Sequence, residues 1–300
     1  MGADYLAVSF PRNAEDMNEA RRRLREAGSD ARVVAKIERT EAITNLEEII
    51  AASDAILIAR GDLGVEIGDA ELPGLQKLIT RKSLEQNRIV ITATQMMQSM
   101  VESPIPTRAE VLDVANSVFD GTDAVMLSAE TAVGRHPQTV VEAMNRICLG
   151  AERHDETRMG CDSLNVQFER IDQAIAMAAM FMATNVSVQA ILALTESGFT
   201  AQWLSRVRSG VPIFALSPVR DSLRRMALYR GVYPVANNIP TTDVEVTLTE
   251  GVRLLYRKAI SRWVTGLFLR WGRIPTTRAA PIHCDLYRSA RTVTWKITPH

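Results

Sequence analysis

The chain has 300 residues, 46% of them hydrophobic, and its 35 basic side chains balance 35 acidic ones. That length supports two domains and a sizeable core, and the balanced charge gives no global electrostatic case for nucleic acid or an anionic membrane as partner. Cys148, Cys161 and Cys284 are few and lack metal-ligand spacing, which points to a reducing, cytoplasmic setting and argues against a zinc site.

No basic region precedes an apolar core at the start, so no secretory signal is expected. Strand signals fall at Tyr5–Phe10, Arg32–Ile37, Ala55–Ala59, Ile89–Ala93 and Ala124–Leu127. Between the first two, Asn13 caps a predicted helix with Met17, Ala20 and Leu24 on one face. The Arg21-Arg22-Arg23 run within it is interleaved with acids and reads as a solvated face. Thr40 opens a second helix, a third runs from Pro73 to Gln86, and a fourth from Thr107 to Phe119. His136-Pro137 opens a fifth. Strands alternating with helices predict a parallel sheet with right-handed crossovers, and Val-, Ile- and Ala-rich strands predict burial on both faces. Polar residues and glycines gather directly after the strands, the edge where barrels and doubly wound sheets carry function.

A polar, unpatterned break at Gly150–Asn165 precedes a second α/β unit. Its predicted elements are an apolar helix at Ile171–Ala183, a strand at Ala190–Thr195 and a helix at Thr200–Arg208. A strand at Pro212–Leu216, a helix at Asp221–Tyr229, a strand at Val232–Val235 and a helix from Thr247 to Lys258 follow. The longest apolar run, Ala174 to Ala183, falls short of the roughly 20 residues a membrane span needs. From Ala259 to His300 the only acid is Asp285, basic residues and Trp263, Trp271 and Trp295 accumulate, and no helix or strand period is convincing.

Lys36 and Glu38 alternate onto one face at the end of a strand, and Asp62 follows the end of the next. Two carboxylates suit a hard dication such as Mg²⁺, and an ammonium beside them suits a phosphoryl oxygen. Buried salt bridges would give the same pattern. Gly61-Asp62-Leu63-Gly64-Val65-Glu66 reads as a tight turn leading to a short helix, where Gly61 admits a close ligand and exposed amides favour anions. An ordinary strand-ending turn is the alternative. Thr94, after the Ile89–Ala93 strand, either relays a proton or caps the next helix. Met96 and Met97 read as core. The Pro104–Glu110 and Ser128–Thr131 runs either line a cleft or cap helices, and His136 and His154 have no partner spacing.

Five runs, in order, resemble the pyruvate kinase family. They are Ala31 to Ile43 with Lys36-Ile37-Glu38, Ala59 to Ile67, Thr92 to Met97, Pro106 to Glu110, and Asp123 to Thr131. The resemblance covers about residues 2 to 258 and has a bacterial flavour in Thr195-Glu196-Ser197-Gly198 and Ala227-Leu228-Tyr229-Arg230-Gly231. It implies an α/β fold. Residues 1–150 would form the last five strands of a (β/α)8 TIM barrel, 151–258 a three-layer α/β C-terminal domain, and 259–300 an atypical basic tail. It also implies phosphoryl transfer from phosphoenolpyruvate to ADP in glycolysis. Lys36 would stabilise the transferring group, Glu38 and Asp62 would hold Mg²⁺, Gly61 and Asp62 would bind substrate oxygens, and Thr94 would lie beside the enolate carbon. The Thr195–Gly198 run matches a loop that holds a phosphorylated effector in some relatives, but Glu196 and Phe199 speak against an anion there.

The first three barrel strands, the lid domain, the K⁺ ligands and an upstream arginine of the family have no counterpart in the sequence. An N-terminally truncated enzyme with little or no turnover is therefore expected, its open sheet edges prone to aggregation. The family's homotetramer is correspondingly disfavoured. Two other readings use the same residues: a Mg²⁺-dependent aldolase or lyase passing through an enolate, and a non-catalytic remnant.

Overall fold

Five short apolar runs form one parallel sheet in the first of two units, Met1–Thr157. The strands are β1 (Tyr5–Val8), β2 (Arg32–Ile37), β3 (Ala55–Ala59), β4 (Ile89–Ala93) and β5 (Ala124–Met126), and their order in the sheet is their order in the chain. A doubly wound sheet would reverse order at a switch point, whereas an uninterrupted sequence of parallel neighbours is the arrangement of a barrel wall. The computed structural model describes residues 2–154, 171–186, 188, 190–207, 209–237, 246, 249–253, 266–270, 283–288 and 291–296.

Every residue of β3 and β4 is buried, as expected for central strands of a parallel sheet. One face packs on helices α1 (Ala14–Glu26), α2 (Thr40–Thr44), α3 (Leu46–Ala52), α4 (Arg60–Ile67) and α5 (Leu72–Glu85) through Val33, Ala35, Ile37, Ile56, Ile58 and Val90. Asn13 caps α1 as expected, its side chain accepting from Asp16 N at 3.1 Å. The helix expected from Thr40 is instead two. Asn45 separates them, donating its amide to Arg12 O at 2.8 Å, a tie that competes with helix continuation. The turn expected at Gly61–Glu66 is also absent. Helix α4 starts at Arg60, directly after β3, and Gly61 and Asp62 occupy its first turn. A 3₁₀ turn (Gln98–Val101) and helices α6 (Arg108–Asp120), α7 (Ala129–Ala132) and α8 (Pro137–Ala151) complete the unit. Met96, Met97 and Met100 pack with Val114, Val140 and Met144, the core role expected of the first two.

The second unit, Arg158–His300, carries a six-stranded sheet. Its elements are α9 (Ile171–Asn185), β6 (Ala190–Leu194), α10 (Phe199–Arg206), β7 (Ile213–Ser217), α11 (Arg220–Met226), β8 (Val232–Ala236), β9 (Gly266–Arg270), β10 (His283–Arg288) and β11 (Arg291–Lys296). The order is β11-β10-β9-β6-β7-β8; β9, β6, β7 and β8 run parallel, and β10 is antiparallel to both β9 and β11. Three strands thus lie beyond Ala259, where the sequence pattern predicts none. Each is short, and β9 is defined by a distant partner, Ala190 opposite Gly266, rather than by its own periodicity. Of the helix expected from Thr247 to Lys258, residues 249–253 are helical, and 247–248 and 254–258 lie outside the described residues.

Candidate functional site

Matched parallel register brings the carboxyl ends of the first five strands to one edge. Val8 lies opposite Ala35, Ile37 opposite Ile58, Ala59 opposite Ala93, and Ala93 opposite Met126. Ser9, Glu38, Arg60, Gly61, Thr94 and Ser128 follow those ends. Val33, Ala35 and Ile37 face the helices, so alternation puts Lys36 and Glu38 on the other face.

Lys36 and Glu38 meet there, with Lys36 Nζ 2.6 Å from Glu38 Oε1; the carboxylate side chain is 0% exposed and the lysine 25%. The ammonium also donates to Ser9 Oγ at 3.1 Å, and Glu38 Oε2 accepts from Phe10 N at 2.8 Å. Oε1 itself accepts no hydrogen bond of regular geometry. The ammonium compensates its charge by proximity while leaving its directional demand unmet.

Thr94 and Gly61 form the second contact of the site. Gly61 N donates to Thr94 Oγ1 at 2.8 Å, and the hydroxyl donates to Ala93 O at 2.6 Å. The Gly61 amide, expected to face substrate, is thus engaged by Thr94. A methyl added at Gly61 would sit 3.5 Å from Thr94 Oγ1, ordinary contact, so the fold itself does not demand glycine there. Thr94 and Gln95 have φ of 66° and 53°, the left-handed region that β-branched residues rarely enter.

Asp62 is exposed in the first turn of α4, and its carboxylate makes no hydrogen bond or ion pair with another described residue. The five expected site residues therefore form two contacting pairs, Lys36 with Glu38 and Gly61 with Thr94, while the Asp62 carboxylate makes no hydrogen bond or ion pair with either. The two carboxylates suit Mg²⁺. Glu38 Oε1 is buried beside the Lys36 ammonium but in no regular hydrogen bond, and Asp62 is an exposed hard-oxygen ligand, which fits an ion that takes one or two protein carboxylates and completes its shell with water and substrate. Among the described residues no group of three or more His, Cys, Asp and Glu gathers to cage an ion.

Around this edge the remaining motifs cap and brace. Thr107 caps α6 in a reciprocal box with Glu110. The Glu110 carboxylate also accepts from Ser99 N at 2.7 Å and Ser99 Oγ at 2.5 Å. Burial pushes the Glu110 carboxyl up, but the Ser99 and Thr107 hydrogen bonds outweigh it and hold the group below its ordinary value. Glu130, 1% exposed, accepts from Met97 N and Ser128 N and ties the end of β5 to the segment after β4. In the second unit, Thr195 Oγ1 accepts from Gly198 N at 3.0 Å and Ser197 Oγ from Phe199 N at 3.4 Å, so the loop's own hydroxyls engage the amides at the start of α10.

Arg60 has no role in the sequence reading, although it stands within one of the quoted runs. It is 6% exposed and pairs with Asp113. A charge placed directly after an all-apolar strand was the available signal, because a buried guanidinium must find several partners.

Two family models match the chain: the pyruvate kinase barrel domain over residues 1–141 and the pyruvate kinase alpha/beta domain over residues 173–264. Pyruvate kinase II of Salmonella typhimurium is 55% identical over 262 residues, covering 86% of this chain and 54% of that protein. A pyruvate kinase of Haemophilus influenzae is 53% identical over 239 residues, covering 78% and 50%. The crystal structure of a pyruvate kinase from Cryptosporidium parvum superposes with a TM-score of 0.85 at 33% identity, covering 89% of this chain and 56% of that one. The chain spans about half the length of the curated relatives it matches. Among the described residues no helix is long and apolar enough to cross a membrane.

Proposed function

The chain belongs to the pyruvate kinase family, a family of phosphotransferases, and from that premise we propose that its first unit encodes transfer of a phosphoryl group from phosphoenolpyruvate to ADP. The observation that carries the reading is the Lys36–Glu38 pair at the carboxyl edge of β2, a buried carboxylate facing a partly exposed ammonium. Phosphoryl transfer asks a protein for position and charge compensation more than for covalent chemistry. Lys36 would hold the phosphoryl oxygens as the bond to the enolate oxygen breaks and the bond to the ADP β-phosphate oxygen forms. Glu38 and Asp62 would hold Mg²⁺, which when bound supplies charge neutralisation to the phosphoryl oxygens. The Asp62 amide, at the N-terminal turn of α4, would donate to a substrate oxygen. Thr94 would hold the proton, directly or through water, that reaches the enolate carbon to give pyruvate.

Low turnover by the isolated chain is part of the reading. In the first unit's sheet, β1 and β5 each pair with a single neighbour, so the described sheet is open at both edges. Tyr5–Val8 is only partly buried, and Leu6 and Phe10 are 40% and 50% exposed. K⁺ is assigned no ligands in this chain, and a cytoplasmic location follows from the substrates.

Calorimetric titration with phosphoenolpyruvate, with and without Mg²⁺, tests the site. Mg²⁺-dependent binding is expected, weakened at least about tenfold by Lys36→Met. No binding under either condition would refute the assignment. A coupled pyruvate assay run beside it is expected to show little turnover, and robust Mg²⁺-dependent turnover would overturn only the low-activity expectation.

A further inference from the structure

Arg60 stands where an apolar strand becomes a helix, and its guanidinium is spent on backbone. Nε and Nη2 donate to Thr94 O at 3.3 and 2.9 Å, and Nη2 donates to Gln95 O at 3.1 Å. Nη1 donates to Asp113 Oδ1 at 2.7 Å, and Met96 Sδ lies 2.9 Å from Nη2. The two carbonyls belong to the two residues held at φ of 66° and 53°. Such a turn persists only where its surroundings over-determine it. The neighbouring residue does the rest, since the Gly61 amide holds the Thr94 hydroxyl at 2.8 Å. One helix start thus grips both the backbone and the side chain of Thr94.

We infer that Arg60 is a positioning residue: anchored on Asp113, it holds the Thr94–Gln95 turn in its left-handed form and so fixes the Thr94 hydroxyl at the candidate site. The inference rests on the phosphoryl-transfer reading, in which Thr94 handles the proton that reaches the enolate carbon. Arg60 touches no substrate in it. A planar fork can address two carbonyls and a carboxylate at once, whereas a lysine ammonium is a point charge on a flexible stem and cannot span the set. Asp113 is the outer anchor, with 37% of its side chain exposed, so changing it perturbs the fork without emptying a buried position.

The test uses the full chain with Arg60→Lys and Asp113→Asn, and two readouts. Amide hydrogen exchange by NMR is expected to accelerate at Gly61 by at least about tenfold in Arg60→Lys, and less in Asp113→Asn, while Ile58 and Val90 in the adjoining strands keep their rates. Unchanged Gly61 protection, or equal acceleration everywhere, overturns the inference. If Arg60→Lys does not fold, the same comparison in Asp113→Asn decides. In the coupled assay, whatever turnover the unmodified chain retains is expected to fall in kcat, by up to about a hundredfold, with KM for phosphoenolpyruvate nearly unchanged, because the hydroxyl is displaced while the phosphoryl contacts remain. A loosened Gly61 with unchanged kcat also overturns it. If turnover of the unmodified chain is too low to compare, Gly61 exchange alone decides whether Arg60 sets the Thr94 turn; if the chain also fails to bind phosphoenolpyruvate, the phosphoryl-transfer reading falls and the exchange result still stands.

Discussion

The Lys36–Glu38 pair makes a measurable claim about stability before any ligand is added. Removing one member of a fully buried ion pair costs about 3–5 kcal/mol, because the other charge is left uncompensated. This pair is not fully buried. Glu38 has 0% exposed side chain, but Lys36 reaches solvent over 25% of its own and also meets Ser9 Oγ at 3.1 Å. Glu38→Gln keeps an acceptor for Phe10 N and leaves an ammonium that solvent can screen, so about 1–2 kcal/mol is expected. Lys36→Met strands a buried carboxylate with one amide donor and should cost more, about 2–3 kcal/mol. The double variant removes both charges and should cost less than the sum of the singles by about 1–2 kcal/mol. Urea unfolding of all four proteins, followed by far-ultraviolet circular dichroism at pH 7 without divalent ions, measures that difference. Single effects that add to within about 0.5 kcal/mol would show the pair to be energetically uncoupled, and the argument that these residues share one microenvironment would be lost.

Gly61→Ala separates fold from ligand. The added methyl makes only ordinary contact, 3.5 Å from Thr94 Oγ1, and alanine in a helix gains about 0.5–1 kcal/mol over glycine. The melting temperature should hold or rise while phosphoenolpyruvate binding weakens; unchanged binding would remove Gly61 from the site. Glu110 sets a pH dependence. Its carboxyl is held below the ordinary 4.5, so it contributes stability that is fully present above that value and is lost as pH falls through the depressed folded-state value. The melting-temperature gap between the unmodified chain and Glu110→Gln should therefore be widest near neutrality and close on acidification below pH 4.5. A gap that widens on acidification would contradict the hydrogen-bond account of Ser99 and Thr107.

What the sequence discloses and what it conceals divide along the range of the interaction. The strands β2, β3 and β4 are legible to the residue, because continuous β-branched runs bounded by charge or glycine have few other uses. Lys36 and Glu38 are legible as a pair because two residues apart on a strand means one face. Helix α4 is hidden because Gly61 and Gly64 suggest a turn, and Thr94 and Asp113, which hold Arg60 at its start, lie 34 and 53 residues away. The contact of Gly61 with Thr94 spans 33 residues and follows only once β3 and β4 are in register. Strands β9 to β11 fail for a related reason. β10 and β11 pair across two intervening residues, a hairpin length, yet the Ser289-Ala290 between them has none of the Asn, Asp or Gly that announces a hairpin.

The same contacts bear on why a dication and a phosphoryl group should bind here together rather than singly. With nothing bound, Glu38 and Lys36 neutralise each other at 2.6 Å. Glu38 can turn to a cation only by loosening its hold on Lys36, which leaves an ammonium in a site closed on three-quarters of its surface. Lys36 can turn to an anion only by loosening its hold on Glu38, which strands a carboxylate with no exposure at all. Each exchange alone replaces one ion pair with another and leaves a widowed charge. Both together replace one pair with two. The affinity of either ligand is then a small difference between similar terms, and the presence of the other tips it, with the coupling equal in both directions by thermodynamic linkage. The Mg²⁺ dependence of phosphoenolpyruvate binding is therefore expected to arise from the pair itself. In Lys36→Met and Glu38→Gln, where one charge is already missing, that dependence should shrink along with the affinity.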